Sequence, residues 1–233
     1  GAKVQVWDAT QALGPGVVGA RGPRAWVASQ TCTFAPPMPP MPPITQGLLL
    51  ACVAAFCLRF LAPVLDLWLG LWPLHSGRFM PWQPVSYALL HGDMGHLFFN
   101  MLGLWMFGSE LERLWGPRRF VQFVLVSVLT AAAVQLGFTM VVPTHGPTVG
   151  ASGALFGFLL AYGMLFPNRV IMPLFPPIPM KARTFVFVFG ALELGLGVLG
   201  GTGTAHFAHL GGMLGGWLLI RHWRGRGPFG RRR

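Results

Sequence analysis

Ser152 lies in "TVGASGALFG" (148–157), between small residues and flanked by long apolar runs. A serine in such surroundings packs, hinges or attacks. A few other polar side chains also interrupt apolar stretches: His96 and Asn100 in "HGDMGHLFFN" (91–100), Glu193, and His206 and His209 in "TAHFAHLGGMLGG" (204–216). An imidazole beside a hydroxyl is the pairing that activates an alcohol as a nucleophile. Histidines in membrane helices also relay protons in transporters. Taken one at a time, these residues have plainer readings: serine in lipid is most often an interhelical hydrogen-bonder. A single pair such as Gly153–Gly157 is common helix packing. Residue types alone leave hydrolysis and transport both open.

The elements that would position these groups are set by composition. The chain of 233 residues is 53% hydrophobic and 10% charged, against about 25% charged in soluble domains. That excludes a soluble globular fold. The apolar segments are continuous rather than alternating, which disfavours a closed barrel. Six helical membrane segments are expected, near 45–63, 94–114, 119–142, 152–166, 183–200 and 204–220. The Trp- and Leu-rich stretch between the first two suits a segment lying in the interface. Residues 1–43 hold "APPMPPMPP" and read as a flexible, dispensable cytoplasmic tail. Residues 44–221 form the membrane domain and 222–233 a basic cytoplasmic tail. Cys32, Cys52 and Cys57 have no metal-ligand spacing, and the two in the apolar run, Cys52 and Cys57, read as packing residues. No metal or cofactor is expected.

The net charge is +11. We read it as positive-inside anchoring beside anionic lipid, not as nucleic-acid binding. Arg113, Arg118 and Arg119 fall after the second segment, Arg169, Lys181 and Arg183 after the fourth, and Arg221, Arg224 and Arg226 after the sixth. The intervening loops "PTHGPT" and "GGTGT" carry no Lys or Arg. Both termini are therefore expected in the cytoplasm.

Helical rise then gives depth. Ser152 stands roughly 22 Å above Pro167, His209 about 18 Å above Arg221, Asn100 about 20 Å above Arg113 and His96 roughly 25 Å. These groups share one level in the outer half of a hydrocarbon core about 30 Å thick. The fourth segment is too short to span that core, so its N-terminus starts inside the membrane. The loop leading to it must dip in, which is tolerated where it lines a polar cavity. A helix N-terminus there offers unpaired N–H groups and partial positive charge to an oxyanion. His96 and Asn100 share a face at i, i+4. His209, Gly212 and Gly216 make a stripe on the sixth segment, and Ser152, Gly153 and Gly157 a small surface on the fourth. Close approach of the two would bring Ser152 against His209.

Three motifs in this order, "HGDMGHLFFN" (91–100), "GASG" (150–153) and "AHLGGMLGG" (208–216), resemble the rhomboid family of intramembrane serine proteases, with support from "GSELERLWG" (108–116). The resemblance covers roughly residues 45–220. It implies an all-α bundle of six transmembrane helices with a short central fourth helix. It implies a Ser–His dyad of Ser152 and His209, cleaving transmembrane segments of other membrane proteins. It assigns oxyanion stabilisation to His96 and Asn100, and supporting roles to His91, Gly150, Gly153, Phe156 and Gly212. Glu112 matches a structural carboxylate near the cytoplasmic side. Phe156 stands where some members have a tyrosine packed on the base. No buried Asp stands at this level, so packing on Phe156, or a water, is left to orient His209. Glu193, near mid-membrane, is left open between packing by a hydrogen bond to another helix, which is favoured, and lining the cavity. A bacterial plasma membrane is the expected location. The rival readings are a non-catalytic rhomboid-fold binding factor and a small transporter.

Overall fold

The computed structural model describes residues 40–144, 146–174, 177–199 and 205–225. Most of the tail expected over 1–43, the residues 200–204 of the fifth-to-sixth loop and the basic end at 226–233 lie outside the described residues.

Helix α1 spans Pro43–Leu61. Proline at its first position needs no N–H there, but no side chain at Pro42 caps the turn. Glu112 does so from a distance. Its carboxylate accepts the backbone N–H groups of Ile44 (3.0 Å) and Thr45 (2.7 Å), together with the Thr45 hydroxyl (2.7 Å). A negative charge on the orphan donors of a helix N-terminus is favourable both as hydrogen bonding and against the dipole.

Between α1 and the next long helix run the short α2 (Leu65–Leu69) and α3 (Gln83–Ser86). Gln83 is fully buried and holds this segment to itself. Its amide accepts from Trp72 N–H and donates to the carbonyls of Leu67 and Arg78. Trp68 and Trp82 stack with ring centroids 6.4 Å apart and remain half-exposed.

The expected second segment is a helical run in three parts. It comprises α4 (Met94–Gly103), a π-helical turn at Leu104–Gly108, and α5 (Ser109–Trp115). Asp93 caps α4 by accepting from His96 N–H. The extra residue in a π turn rotates the rest of the run by about 100°. Beyond it, Leu111 and Glu112 are buried. Gly116, at φ +76°, ends α5 and starts α6 in a conformation that side chains disfavour.

Helix α6 (Pro117–Val141) is the longest among the described residues, about 37 Å by helical rise. Helix α7 (Ser152–Leu165) is short, about 21 Å. A two-stranded antiparallel ribbon pairs β1 (Val170–Ile171) with β2 (Met180–Lys181); nothing in the residue pattern anticipates it. Helices α8 (Ala182–Leu199) and α9 (His206–Trp223) complete the described chain. By length and composition, α1, α6 and α8 are apolar enough to cross a membrane. Large apolar side chains point outward from them, among them Leu61, Val141, Phe187 and Leu199.

The centre of the packing is α9 against both α6 and α7, and glycines permit both contacts. A Cβ at Gly211 would lie 2.8 Å from the Thr130 carbonyl, and one at Gly215 would lie 2.0 Å from the Thr130 hydroxyl, so that stripe faces α6. A Cβ at Gly212 would lie 1.9 Å from the Gly153 carbonyl, and one at Gly216 would lie 3.3 Å from the Gly157 carbonyl, so the adjoining stripe faces α7. Beneath them Phe120, Phe123 and Phe158 stack into an aromatic core.

Gly212→Ala is expected to force α7 and α9 apart and to destabilise the fold by about 1–3 kcal/mol, the range for overpacking. Gly47→Ala, where a Cβ meets nothing within 4 Å, is expected to leave stability unchanged or slightly raised. Thermal unfolding of the two purified variants in the same detergent checks this; equal transitions would refute the close-packing argument.

Candidate active site

Ser152 is the first residue of α7. The loop before it is pinned just ahead of the helix. Leu71 and Thr148 exchange backbone hydrogen bonds of 3.0 and 2.9 Å, and Gly150 N–H donates to the Tyr87 carbonyl. Gly150 has φ +126°, and a Cβ there would lie 2.7 Å from His96 Nε2 and 3.5 Å from Ser152 Oγ. Glycine is required twice over, by the backbone angle and by the space. Ala151 at the N-cap makes no side-chain cap. The N–H groups of the first turn therefore precede the helical ladder and face the Ser152 end.

His209 comes from α9. Its Nε2 lies 2.8 Å from Ser152 Oγ. Its ring stacks on Phe156, one turn into α7, with centroids 4.3 Å apart and planes 8° from parallel. The base-side nitrogen is thus held between a hydroxyl and an aromatic face. Tyr87, whose hydroxyl donates to the Val128 carbonyl, borders Gly153 and fills the space beside it.

His96 comes from α4. Its Nδ1 accepts from Gly92 N–H at 3.3 Å. That leaves the proton on Nε2, the nitrogen that faces Gly150 and Ser152. A hydrogen-bond donor is therefore aimed at the space beside the hydroxyl. Asn100, one turn further along α4, is buried and donates from Nδ2 to the His96 carbonyl. It also lines a small cavity of about 40 Å³ with Ala151, Ala154 and Leu155. The structure sets His96 and Ser152 on either side of the space at Gly150 and keeps Asn100 behind His96, beside Ala151 at the start of α7.

His91 is fully buried and lies edge-on to His96, with centroids 5.0 Å apart. In this loop ahead of α4, burial pushes the His91 imidazole down to about 4, and the neighbouring His96 adds to the effect. It is a neutral packing group at pH 7. Arg59 donates to the carbonyls of His91 and Gly92 and forms an ion pair with Asp66, tying α1 to this loop.

One residue has a place that the sequence reading missed. Glu193 Oε2 lies 2.7 Å from His209 Nδ1 and 2.7 Å from His206 Nδ1. A carboxylate therefore does stand at the level of the histidines, on α8, and it is a glutamate. The signal was present in the depth estimate: Glu193 stands roughly 15 Å above Arg183, only about 3 Å from the level of His209. Glu193, His206 and His209 also have ligand atoms within 4.8 Å of one another, the spacing of a possible metal trio. Ligands around a tetrahedral zinc lie about 3.3 Å apart. The 2.7 Å separations are those of charge-assisted hydrogen bonds.

The arrangement can activate a hydroxyl and receive negative charge on an adjacent oxygen. The chain is 32% identical over 143 residues to "Rhomboid protein 1, mitochondrial" of Saccharomyces cerevisiae, covering 59% of this chain and 41% of that protein. It is 33% identical over 133 residues to "Rhomboid protease GlpG" of Klebsiella pneumoniae, covering 55% and 47%. It is 31% identical over 177 residues to "Rhomboid protease GlpG homolog" of Cronobacter sakazakii, covering 74% and 60%. The chain thus spans about half the length of the first of these relatives. The Rhomboid domain family matches residues 78–224, which include Ser152, His209, His96, Asn100 and Glu193. With well over half of its length matched, the chain belongs to the rhomboid family.

Proposed function

We propose that the chain is an intramembrane serine endopeptidase that cleaves transmembrane segments of other membrane proteins, with Ser152 as nucleophile and His209 as base. The 2.8 Å contact between Ser152 Oγ and His209 Nε2 carries this reading. In the first step Ser152 Oγ attacks a peptide carbonyl and its proton passes to Nε2. The oxyanion meets the N–H groups of the first turn of α7 and the Nε2–H of His96, with the Asn100 amide behind them. His209 then protonates the leaving amine. Water, deprotonated by the same nitrogen, hydrolyses the acyl ester. A binding factor or a small transporter would account for the apolar helices but has no use for a hydroxyl–imidazole pair at a helix N-terminus.

The same reading has six spans, formed by α1, the run α4–α5, α6, α7, α8 and α9, with α7 short and central. The basic residues at Arg113, Arg118, Arg119, Arg169, Lys181, Arg221 and Arg224 support termini in the cytoplasm. A bacterial plasma membrane, with anionic lipid against the basic end and no nucleic-acid partner, fits that charge pattern.

Fluorophosphonate labelling tests the nucleophile. Ser152→Ala and His209→Ala are expected to abolish labelling and cleavage of a transmembrane substrate, while His206→Ala keeps a measurable fraction of both. Cleavage by Ser152→Ala at the wild-type rate would end the protease reading. Loss confined to His206→Ala would move the base one turn outward.

His96→Ala and Asn100→Ala are expected to lower kcat, each by up to about 10²–10³, with little change in KM. The loss should be larger at His96, whose Nε2 borders the same space at Gly150 as the serine hydroxyl. Raised KM at unchanged kcat would assign both to substrate docking instead.

A reporter fused after Arg233 is expected in the cytoplasm, and one inserted at Thr144 outside. The reverse pair of results would place the site at the other membrane face.

A further inference from the structure

We propose that Glu193 is a positioning residue of this site: its carboxylate, carried on α8, fixes the tautomer of His209 and balances the imidazolium formed when Ser152 attacks. His206 is the second donor that holds the carboxylate in place. This inference rests on the protease reading of Ser152 and His209.

The geometry is specific to the base. Glu193 Oε2 contacts Nδ1 of both histidines, at 2.7 Å each. One oxygen has at most one proton to give, so at least one of the two rings donates to it. In the state proposed, Glu193 is ionised. As a carboxylate it accepts from both rings. Both Nδ1 atoms then carry protons, and Nε2 of His209 is left with a lone pair directed at Ser152 Oγ, 2.8 Å away. The opposite tautomer would present an N–H to the serine and could not take its proton.

The local packing brings the carboxylate to this spot. Glu193 side-chain exposure is 13%, and its neighbours Leu192 and Leu194 are each 52% exposed. Within α8 the buried residues are Ala182, Phe185 and Val186, all near its start. Further along, α8 meets α9 through Gly190, Glu193 and Gly197, spaced i, i+3, i+7. A Cβ at Gly190 would lie 3.3 Å from the Met213 side chain, and one at Gly197 would lie 3.1 Å from His206 and Phe207. Two glycines let the backbones come close enough for the glutamate between them to reach both rings. Packing alone would be met by a bond to either histidine; the bond to Nδ1 of His209 is what couples the carboxylate to the serine.

When Ser152 Oγ bonds to the carbonyl carbon, its proton moves to Nε2 and His209 becomes a cation. Glu193 supplies the counter-charge at the far nitrogen without taking the proton. Among the described residues, the titratable groups facing His209 are few. They are Glu193 from α8, His206 on its own helix, Ser152 from α7 and His96 from α4. Helix α6 carries its only charges, Arg118 and Arg119, at its first turn, away from this end.

The test uses the full chain in detergent, reading kcat, KM and the rate of fluorophosphonate labelling from pH 5 to pH 9. Glu193→Gln is expected to lower kcat and labelling together by about 10²–10⁴, with KM nearly unchanged. The acid limb of the residual rate should move to lower pH by about one unit, because the imidazolium has lost its counter-charge. Glu193→Asp should keep the wild-type limb at an intermediate rate. Wild-type rates in Glu193→Gln would overturn the inference, as would a lost rate with an unmoved limb. Nitrogen-15 histidine NMR of the wild-type protein provides a reading independent of how the variants fold, with His209→Ala for assignment. A His209 ring protonated on Nδ1 supports the inference, and one protonated only on Nε2 refutes it. If the wild-type protein neither labels nor cleaves, the protease reading fails and takes this inference with it. If it labels and Glu193→Gln labels equally fast, only this inference fails.

Discussion

Everything in the site depends on how near α9 can come to α7. Ser152 and His209 sit on different helices, and each side chain is short. A Cβ at Gly212 would lie 1.9 Å from the Gly153 carbonyl oxygen, so no other residue fits this crossing without moving a helix. In lipid there is no hydrophobic force to press two helices together, because the tails are as apolar as leucine. Close van der Waals packing between backbones supplies the contact instead. The second stripe, Gly211 and Gly215, sets α9 equally close against α6. With helices on two sides, α9 has little freedom to slide or rotate. The hydroxyl–imidazole distance is therefore fixed by backbones rather than by flexible side chains.

The other half of the site is held by loops, and these depend on two long-range ties. Glu112 occupies the start of α1 by accepting two backbone N–H groups and a hydroxyl. Hydrogen bonds to a charged group are worth about 1.5–3 kcal/mol each, so this single buried carboxylate anchors the start of α1 to the middle of α5. Arg59 near the other end of α1 then holds the carbonyls of His91 and Gly92. That loop in turn sets the tautomer of His96, through Gly92 N–H on Nδ1. A chain of contacts runs from the base of α1 to the donor that faces Ser152. The Leu71–Thr148 bridge supplies the matching constraint from the α7 side.

The residues that the sequence makes legible are those whose chemistry conflicts with their surroundings. Ser152, His96, Asn100 and His209 stand out because lipid does not favour them, and helical rise alone sets them at one depth. The helix boundaries follow the apolar runs to within a few residues. Three features are hidden, for different reasons. The π turn at Leu104–Gly108 inserts one residue without a break in hydropathy, so the run reads as one regular helix. The ribbon of Val170–Ile171 with Met180–Lys181 is two residues per strand, below any periodic signal. Glu193 was visible as a buried acid, and its depth agreed with His209. What periodicity could not give was its azimuth, because Gly190 and Gly197 flank it in a stretch where Gly195 makes the small-residue face ambiguous.

That azimuth changes how the polar groups are to be understood. A carboxylate at the centre of a membrane helix costs about 2.5–3.5 kcal/mol on insertion scales. Two hydrogen bonds to imidazoles, at about 1.5–3 kcal/mol each for a charged acceptor, offset that cost. Neither histidine alone would do so with margin, which gives His206 a reason to exist one turn from His209. The groups then form one sequence of bonds, from α8 through α9 to α7: Glu193 to His209 to Ser152. It crosses three helices, and each crossing is made close by glycine. Stability and chemistry draw on the same contacts here, since the bonds that keep an acid tolerable in lipid also turn the imidazole toward the serine.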